Sequence, residues 1–208
     1  PDVAVTNTDN DSAGITVLPA TDLVTTEAGG TAVFTVALNS QPVASVTIGL
    51  RSSNVAEGTV SPASVTFTTA NWNAPQPVTV TGVEDSIQDG NQPYIIVTAQ
   101  GVSSDAAYAA INPADVAVSN TDDDSAGITV TAAATPLVTT EAGGFATFTI
   151  RLNSQPTASV AIGLSSNDVG EGTVSPAALI FTTVNWAAPQ VVTVTGVNDA
   201  VQDGAQPY

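Results

Sequence analysis

The stretch Thr31-Ala-Val-Phe-Thr-Val-Ala-Leu38 alternates apolar side chains with small or polar ones. It returns later in the chain as Phe145-Ala-Thr-Phe-Thr-Ile-Arg-Leu152. Strict alternation predicts a β-strand with one buried face, because successive side chains on a strand point to opposite sides. We therefore expect Phe34, Val36 and Leu38 to face a core, with Thr and Ala at the opposite positions facing outward.

Further alternating stretches lie on both sides of this one, and Pro and Gly separate them. The predicted strands, lettered A to G in chain order, cover residues 14–25, 31–38, 43–50, 59–67, 77–83, 93–100 and 115–119. Seven short strands within roughly 110 residues are typical of an antiparallel sandwich. The sequence thus predicts an all-β fold of tandem immunoglobulin-like β-sandwich domains, each with about seven strands.

Repeated sequence motifs set the expected domain boundaries. Val24-Thr-Thr-Glu-Ala-Gly-Gly30 returns as residues 138–144, and Gln92-Pro-Tyr94 returns as residues 206–208. We predict that residues 1–12 are the C-terminal strand and linker of a preceding repeat. Residues 13–124 are then the first complete repeat, and residues 125–208 are a second repeat truncated before its last strands.

The composition excludes several classes of function. The 208 residues include 19 Asp and Glu but only two cations, Arg51 and Arg151, for a net charge of -17. Such a charge argues against binding nucleic acid or an anionic membrane, and no segment is apolar enough to insert into a bilayer. The chain has no Cys, His or Lys, so thiolate and imidazole metal sites and the usual activated nucleophiles are excluded. We expect no enzymatic activity.

Strand direction gathers most of the acids at one end of each predicted sandwich. If each strand runs opposite to its predecessor, the A–B, C–D and E–F loops and the exit from strand G share one pole. The acids gathered there are Glu27, Glu57, Glu84, Asp85, Asp89, Asp122, Asp123 and Asp124, then Glu141, Asp168, Glu171, Asp199 and Asp203, with Asp9 and Asp11 from the preceding tail.

Two interpretations of the acidic run in Asn120–Gly127 follow: a solvated linker, or a cation site. Two carboxylates about 5 Å apart repel by roughly 3 kcal/mol at an effective dielectric near 20, so several together oppose folding. Calcium relieves this repulsion because it accepts six to eight oxygen ligands in irregular geometry. We take the gathered acids as candidate Ca²⁺ ligands, apart from Asp168, Glu171 and Glu57. Glu57 is left open, because it is equally well explained as an ordinary acidic residue of the C–D loop.

The acidic positions resemble those of a known family. Glu27 opening the A–B loop, Glu84-Asp85 closing strand E and Asp122–Asp124 after the last strand resemble the Calx-beta domain. The repeats are similar to those of large bacterial surface adhesins and RTX-type secreted proteins. The resemblance implies a calcium-binding sandwich with ligands at Glu27, Asp85 and Asp122–Asp124, and at Glu141 and Asp199 in the second repeat.

The expected function is that of spacer repeats in a long extracellular bacterial adhesin or fibre, secreted or at the cell surface, with calcium stiffening the junctions. The expected partners are adjacent repeats. One alternative is a carbohydrate- or cell-binding module that uses the pole bearing Trp72 and Trp186, although such residues more often close the end of a core. Another is a filament of like chains, in which the strand at Val3-Ala-Val5 completes a neighbouring sandwich.

Overall fold

The computed structural model describes residues 2–202 and 204–208, and the chain divides into two compact units. Unit 1 comprises the residues up to Asp85 together with Asp89–Asp123, and unit 2 comprises Ser86–Gln88 and Asp124–Tyr208. Within the described ranges, no helix has the length and apolar character needed to cross a membrane.

Unit 1 is built from two sheets. Its elements are β1 (Ile15–Leu18), β2 (Leu23–Thr26), β3 (Thr31–Leu38), β4 (Val46–Ser52), β5 (Gly58–Ser61), β6 (Ser64–Phe67), β7 (Gln76–Gly82), β8 (Gln92–Thr98), α1 (Ala106–Ala109) and β9 (Val116–Thr121). One sheet has the order β1-β3-β7-β5 and the other β2-β9-β8-β4-β6. The paired strands are antiparallel except for β2 and β9, which run parallel.

The core of unit 1 confirms the predicted alternation and the all-β sandwich class. Phe34, Val36 and Leu38 are all buried, and the residues between them are only partly so. Side chains from both sheets enter the same core, for example Phe34 from the first sheet and Ile48 and Val118 from the second.

Two of the predicted strands are each split into two shorter ones. Residues 14–25 form β1 and β2, and residues 59–67 form β5 and β6; the two halves belong to different sheets in each case. Pro19 and Pro62 lie at the breaks, where a residue without an N–H cannot continue the ladder. Asp22, with φ of 63°, also turns the chain between β1 and β2. The pattern of side chains did not reveal that these strands change sheet.

Unit 2 repeats only part of this plan. Its strands are β10 (Ile128–Ala132), β11 (Phe145–Leu152), β12 (Val160–Gly163), β13 (Gly172–Ser175), β14 (Ala178–Phe181) and β15 (Gln190–Gly196). The order β10-β11-β15-β13 matches the first sheet of unit 1, whereas the second sheet contains β12 and β14 alone. Residues 137–140, which repeat the sequence of β2, lie outside the named strands. The core is accordingly smaller, and Phe148 is only partly buried.

Candidate metal centre

The parallel pairing of β2 and β9 places Glu27 beside the acidic run. Glu27 directly follows β2, and Asp122 directly follows β9. The carboxyl ends of parallel strands meet at the same edge of a sheet, and here the amide of Glu27 donates to the carbonyl of Thr121 at 3.1 Å. Gly29, with φ of 79°, then closes the tight turn that leads into β3.

The first carboxylate group of unit 1 contains Glu27 and Asp122, which each offer one oxygen within 4.8 Å of the other. The Glu27 side chain is only 2% exposed. Its Oε2 accepts a hydrogen bond from the amide of Asp123 at 3.3 Å, and Asp122 Oδ2 accepts one from the amide of Gly90 at 2.7 Å. Backbone amides therefore hold both carboxylates in place.

The second group consists of Glu57, Asp85 and Asp89, again with one oxygen of each within 4.8 Å of the others. The sequence did not decide whether Glu57 is a candidate ligand. In the structure Glu57 is 7% exposed and belongs to this group. Its carbonyl accepts from the amide of Val83 at 3.0 Å, which fixes the β4–β5 loop against the end of β7. This long-range contact carries no signal in the sequence.

A third pair of carboxylates consists of Glu84 and Asp123, which also offer oxygens within 4.8 Å of each other. Both residues are more exposed than Glu27 or Glu57. Six candidate ligands of the first repeat therefore lie close to another carboxylate of unit 1, together with Glu57: Glu27, Glu84, Asp85, Asp89, Asp122 and Asp123. The remaining candidate of the first repeat, Asp124, belongs to unit 2. The role of these residues as ligands stays a prediction.

A buried polar network around Asn120 holds Glu57 of the second group in place. Asn120 is fully buried. Its Nδ2 donates to the carbonyl of Val83 at 3.0 Å and to Glu57 Oε2 at 3.4 Å. Its Oδ1 accepts from Thr25 Oγ1 at 3.0 Å. Thr25 Oγ1 also lies 3.1 Å from the Tyr94 hydroxyl. Burial and the nearby Glu57 raise the pKa of Tyr94, and the bond to Thr25 opposes that rise. The sequence did not predict this network, although Asn120 lies an even number of residues after the inward-facing Val116 and Val118 and so faces the same side of β9.

We expect Asn120→Ala to lower the free energy of unfolding by about 1–3 kcal/mol. The substitution leaves the buried hydrogen-bonding groups of Thr25, Glu57 and Val83 without their partner. Urea unfolding with calcium chelated measures this effect. Asn73→Ala, at an exposed position, is the matched control and should change the value by less than about 0.5 kcal/mol. Equal effects of the two substitutions would contradict the network's structural role.

The remaining candidate ligands are not brought together. Glu141 is exposed, and Asp199 accepts from the amide of Val201 at 2.8 Å, but neither belongs to a carboxylate group among the described residues. Asp203 lies outside the described residues. Asp9 and Asp11 are exposed, with the amide of Asp11 donating to Asp9 Oδ1 at 3.0 Å. Unit 2 has no described counterpart of β9, the strand that delivers Asp122 in unit 1.

The two tryptophans take part in packing. Trp72 is partly buried against the core of unit 1, and Trp186 against that of unit 2. Their carbonyls accept from the amides of Leu38 and Leu152 at 3.2 and 3.0 Å. These contacts favour a structural role at the end of each core over an open sugar-stacking platform.

The donor set fits a hard cation. The grouped side chains offer only carboxylate oxygens, which calcium prefers, and its variable geometry suits groups of this irregular kind. The only two cationic side chains, Arg51 and Arg151, are both exposed, and 19 acids outnumber them. A cation among the grouped carboxylates would relieve the repulsion between buried Glu27 or Glu57 and the acids beside them.

Neither a protein-family model nor a curated protein matches the chain. Among solved structures, calcium-binding domain CBD12 of CALX1.1 is 14% identical over 89% of this chain and 76% of that one, with a TM-score of 0.42. The YadV chaperone is 8% identical over 90% of this chain and 88% of that one, with a TM-score of 0.39. SSP-19, an MSP-domain protein like family member from Caenorhabditis elegans, is 17% identical over 51% of this chain and 99% of that one, with a TM-score of 0.38. Likenesses this weak do not assign the chain to a family.

Proposed function

We propose that this protein binds calcium through the carboxylate groups of unit 1. The observation that carries the proposal is the burial of Glu27 and Glu57, each close to at least one further carboxylate of unit 1. An ionised carboxylate costs several kcal/mol to bury unless a counter-charge accompanies it. A divalent cation supplies that charge to several carboxylates at once.

Calcium suits these groups better than magnesium. Magnesium demands a near-ideal octahedron and keeps several of its waters, whereas calcium accepts more protein oxygens at variable angles. The amides of Asp123 and Gly90 orient Glu27 and Asp122, so part of the ordering is complete before an ion arrives. A bound ion supplies positive charge, and the side chains tie the ends of β2, β7 and β9 to it.

The proposed biological role is that of calcium-stabilised spacer repeats in a secreted or cell-surface bacterial adhesin or fibre, without enzymatic activity. Ser125-Ala-Gly127 directly follows the acidic run and has the composition of a hinge. Calcium bound by the run restrains this hinge, whereas in its absence repulsion between carboxylates loosens it. Millimolar calcium outside cells would keep a site of micromolar affinity filled.

Isothermal titration calorimetry tests the binding. We expect calcium to bind with a dissociation constant on the order of 10 µM, and magnesium at least about tenfold more weakly. The double variant Glu57→Gln with Asp85→Asn should remove at least one calcium per chain. Asp22→Asn, an exposed acid outside the groups, is the control and should leave the titration unchanged. Equal affinity for the two ions, or an unchanged stoichiometry in the double variant, would count against the proposal.

Small-angle X-ray scattering tests the hinge. With calcium, we expect a narrow distribution of molecular dimensions, because the acidic run is restrained. With chelator at the same ionic strength, the distribution should broaden and the flexibility of the chain increase. The same scattering profile in both buffers would refute the restraint, even if calcium binds.

A further inference from the structure

The loop between β7 and β8 contains a dipeptide with a reactivity of its own, Asp89-Gly90. The pair Asp-Gly occurs at residues 89–90 and again at residues 203–204, and the chain contains no Asn-Gly. Because glycine has no Cβ, the main chain after such an aspartate can bring its amide nitrogen up to the aspartate side chain. Asp-Gly is therefore the sequence at which an aspartate reacts most readily with its own backbone.

The surroundings of Asp89 leave room for this reaction. Asp89 and Gly90 are both exposed, and Gly90 has a φ of 76°. A Cβ added to Gly90 would meet no atom within 4 Å outside its immediate chain neighbours, so the space around the dipeptide is open to water. Among the residues that the structure describes, no hydrogen bond holds the Asp89 carboxylate. This side chain is therefore free to rotate toward the Gly90 nitrogen.

One contact within unit 1 opposes the reaction. The Gly90 amide donates a hydrogen bond to Asp122 Oδ2 at 2.7 Å. A bond of this length from an amide to a carboxylate is charge-assisted and roughly twice as strong as one between neutral groups. While this bond holds, the N–H of Gly90 is directed at Asp122, so its nitrogen does not attack the side chain of Asp89.

We propose that Asp89-Gly90 is a site of spontaneous isoaspartate formation, and that the Asp122 carboxylate restrains the reaction by holding the Gly90 amide. In the first step, the Gly90 nitrogen forms a bond to Cγ of Asp89. The protonated carboxyl group loses its hydroxyl, which leaves as water with the amide proton, and a five-membered succinimide ring results.

Water then reopens the ring. It adds to one of the two ring carbonyls, whose bond to the nitrogen breaks. Opening at Cγ restores aspartate, whereas opening at the main-chain carbonyl leaves the chain running through Cγ, which is isoaspartate. One water is released and one is consumed, so the mass of the chain is unchanged and no oxidant or reductant takes part.

Isoaspartate changes the second carboxylate group. The main chain gains the Cβ of residue 89, and the carboxylate moves to the α-carbon. That carboxylate then loses the position in which its oxygen lies within 4.8 Å of those of Glu57 and Asp85. The expected consequence is the loss of a calcium ligand, and this consequence alone rests on the proposed calcium binding.

Incubation of the folded chain at neutral pH in chelator for several weeks tests the proposal. Methylation by a protein isoaspartyl methyltransferase counts the isoaspartate, and mass spectrometry of peptides assigns its position. Asp122→Ala removes the acceptor and should speed isoaspartate formation at residue 89 about tenfold or more, because no bond to a charged group must break first. Asp122→Asn removes the same charge but keeps an accepting oxygen, so its rate should lie between those of the wild type and Asp122→Ala.

Two controls accompany the three chains. Asp89→Glu in the Asp122→Ala chain should reduce the signal at residue 89 to background, because glutamate would have to close a six-membered ring. Circular dichroism reports whether each chain is folded. If Asp122→Ala does not fold, Asp122→Asn carries the test, since its rate should still exceed that of the wild type by about threefold.

The proposal is overturned by equal rates at residue 89 in folded wild-type and Asp122 variant chains. It is also overturned by isoaspartate that accumulates at other aspartates of the folded chain but not at residue 89. Because the incubation is carried out in chelator, these results do not bear on calcium binding. Calorimetry of the isomerised chain tests the consequence separately: we expect at least one calcium fewer per chain, and an unchanged stoichiometry would overturn Asp89 as a ligand.

Discussion

Removing calcium with a chelator is expected to lower the unfolding temperature of unit 1 by roughly 10 °C or more. At about 1 mM calcium, a site with a dissociation constant near 10 µM adds roughly 2.7 kcal/mol to the free energy of unfolding. For a domain of about 100 residues, each kcal/mol shifts the midpoint by roughly 4–8 °C. The effect is large because calcium adds binding energy and also removes the repulsion among Glu27, Glu57 and their neighbours.

Differential scanning calorimetry in calcium, in magnesium and in chelator measures this shift. The three buffers share one ionic strength, because salt alone screens repulsion between exposed carboxylates. Magnesium should restore only part of the loss. Identical unfolding temperatures in calcium and in chelator would show that the carboxylate groups do not bind the ion.

Glu27→Gln is expected to raise the free energy of unfolding in chelator and to lower it in calcium. In chelator, the substitution should raise the free energy of unfolding by about 1–3 kcal/mol, because it removes one negative charge from a close group. In calcium, it should lower the free energy by roughly 2–3 kcal/mol, because the site loses its most buried carboxylate. Glutamine keeps the shape and can still accept the bond from the amide of Asp123.

Urea unfolding of the variant with and without calcium tests the reversal. Asp22→Asn serves as the matched control: Asp22 is exposed, lies outside the groups and has a positive φ that asparagine also tolerates. We expect the control to change stability by less than about 0.5 kcal/mol in either buffer. If Glu27→Gln destabilises the protein equally in both buffers, then Glu27 does not bind a cation.

The strand pattern of unit 1 was largely predictable from local sequence. The alternation around Phe34 predicted β3 with its observed limits, because one buried face decides every second residue. The breaks at Pro19 and Pro62 could be anticipated as interruptions, but the change of sheet at each could not. That change depends on which distant strands are available as partners, which a local pattern does not encode.

The candidate site was predictable where it depends on strand direction. Glu27 and Asp122 come together because their strands end at the same edge of the sheet. The assumption that successive strands alternate in direction was enough to predict this. Glu57 needed the long-range contact with Val83, and the burial of Asn120 needed the complete sandwich. The candidate ligands of the second repeat have the same sequence motifs as those of the first. Among the described residues, however, no counterpart of β9 places further acids beside Glu141, so the same motif has different neighbours in the two units.

A crystal structure grown in calcium, with anomalous scattering recorded to identify the ion, tests the central claim most directly. The account predicts calcium bound by Glu27 and Asp122 and by Glu57, Asp85 and Asp89, with these carboxylates as direct ligands. An anomalous map without calcium at either group, or with calcium only at isolated exposed acids such as Asp115, would contradict it.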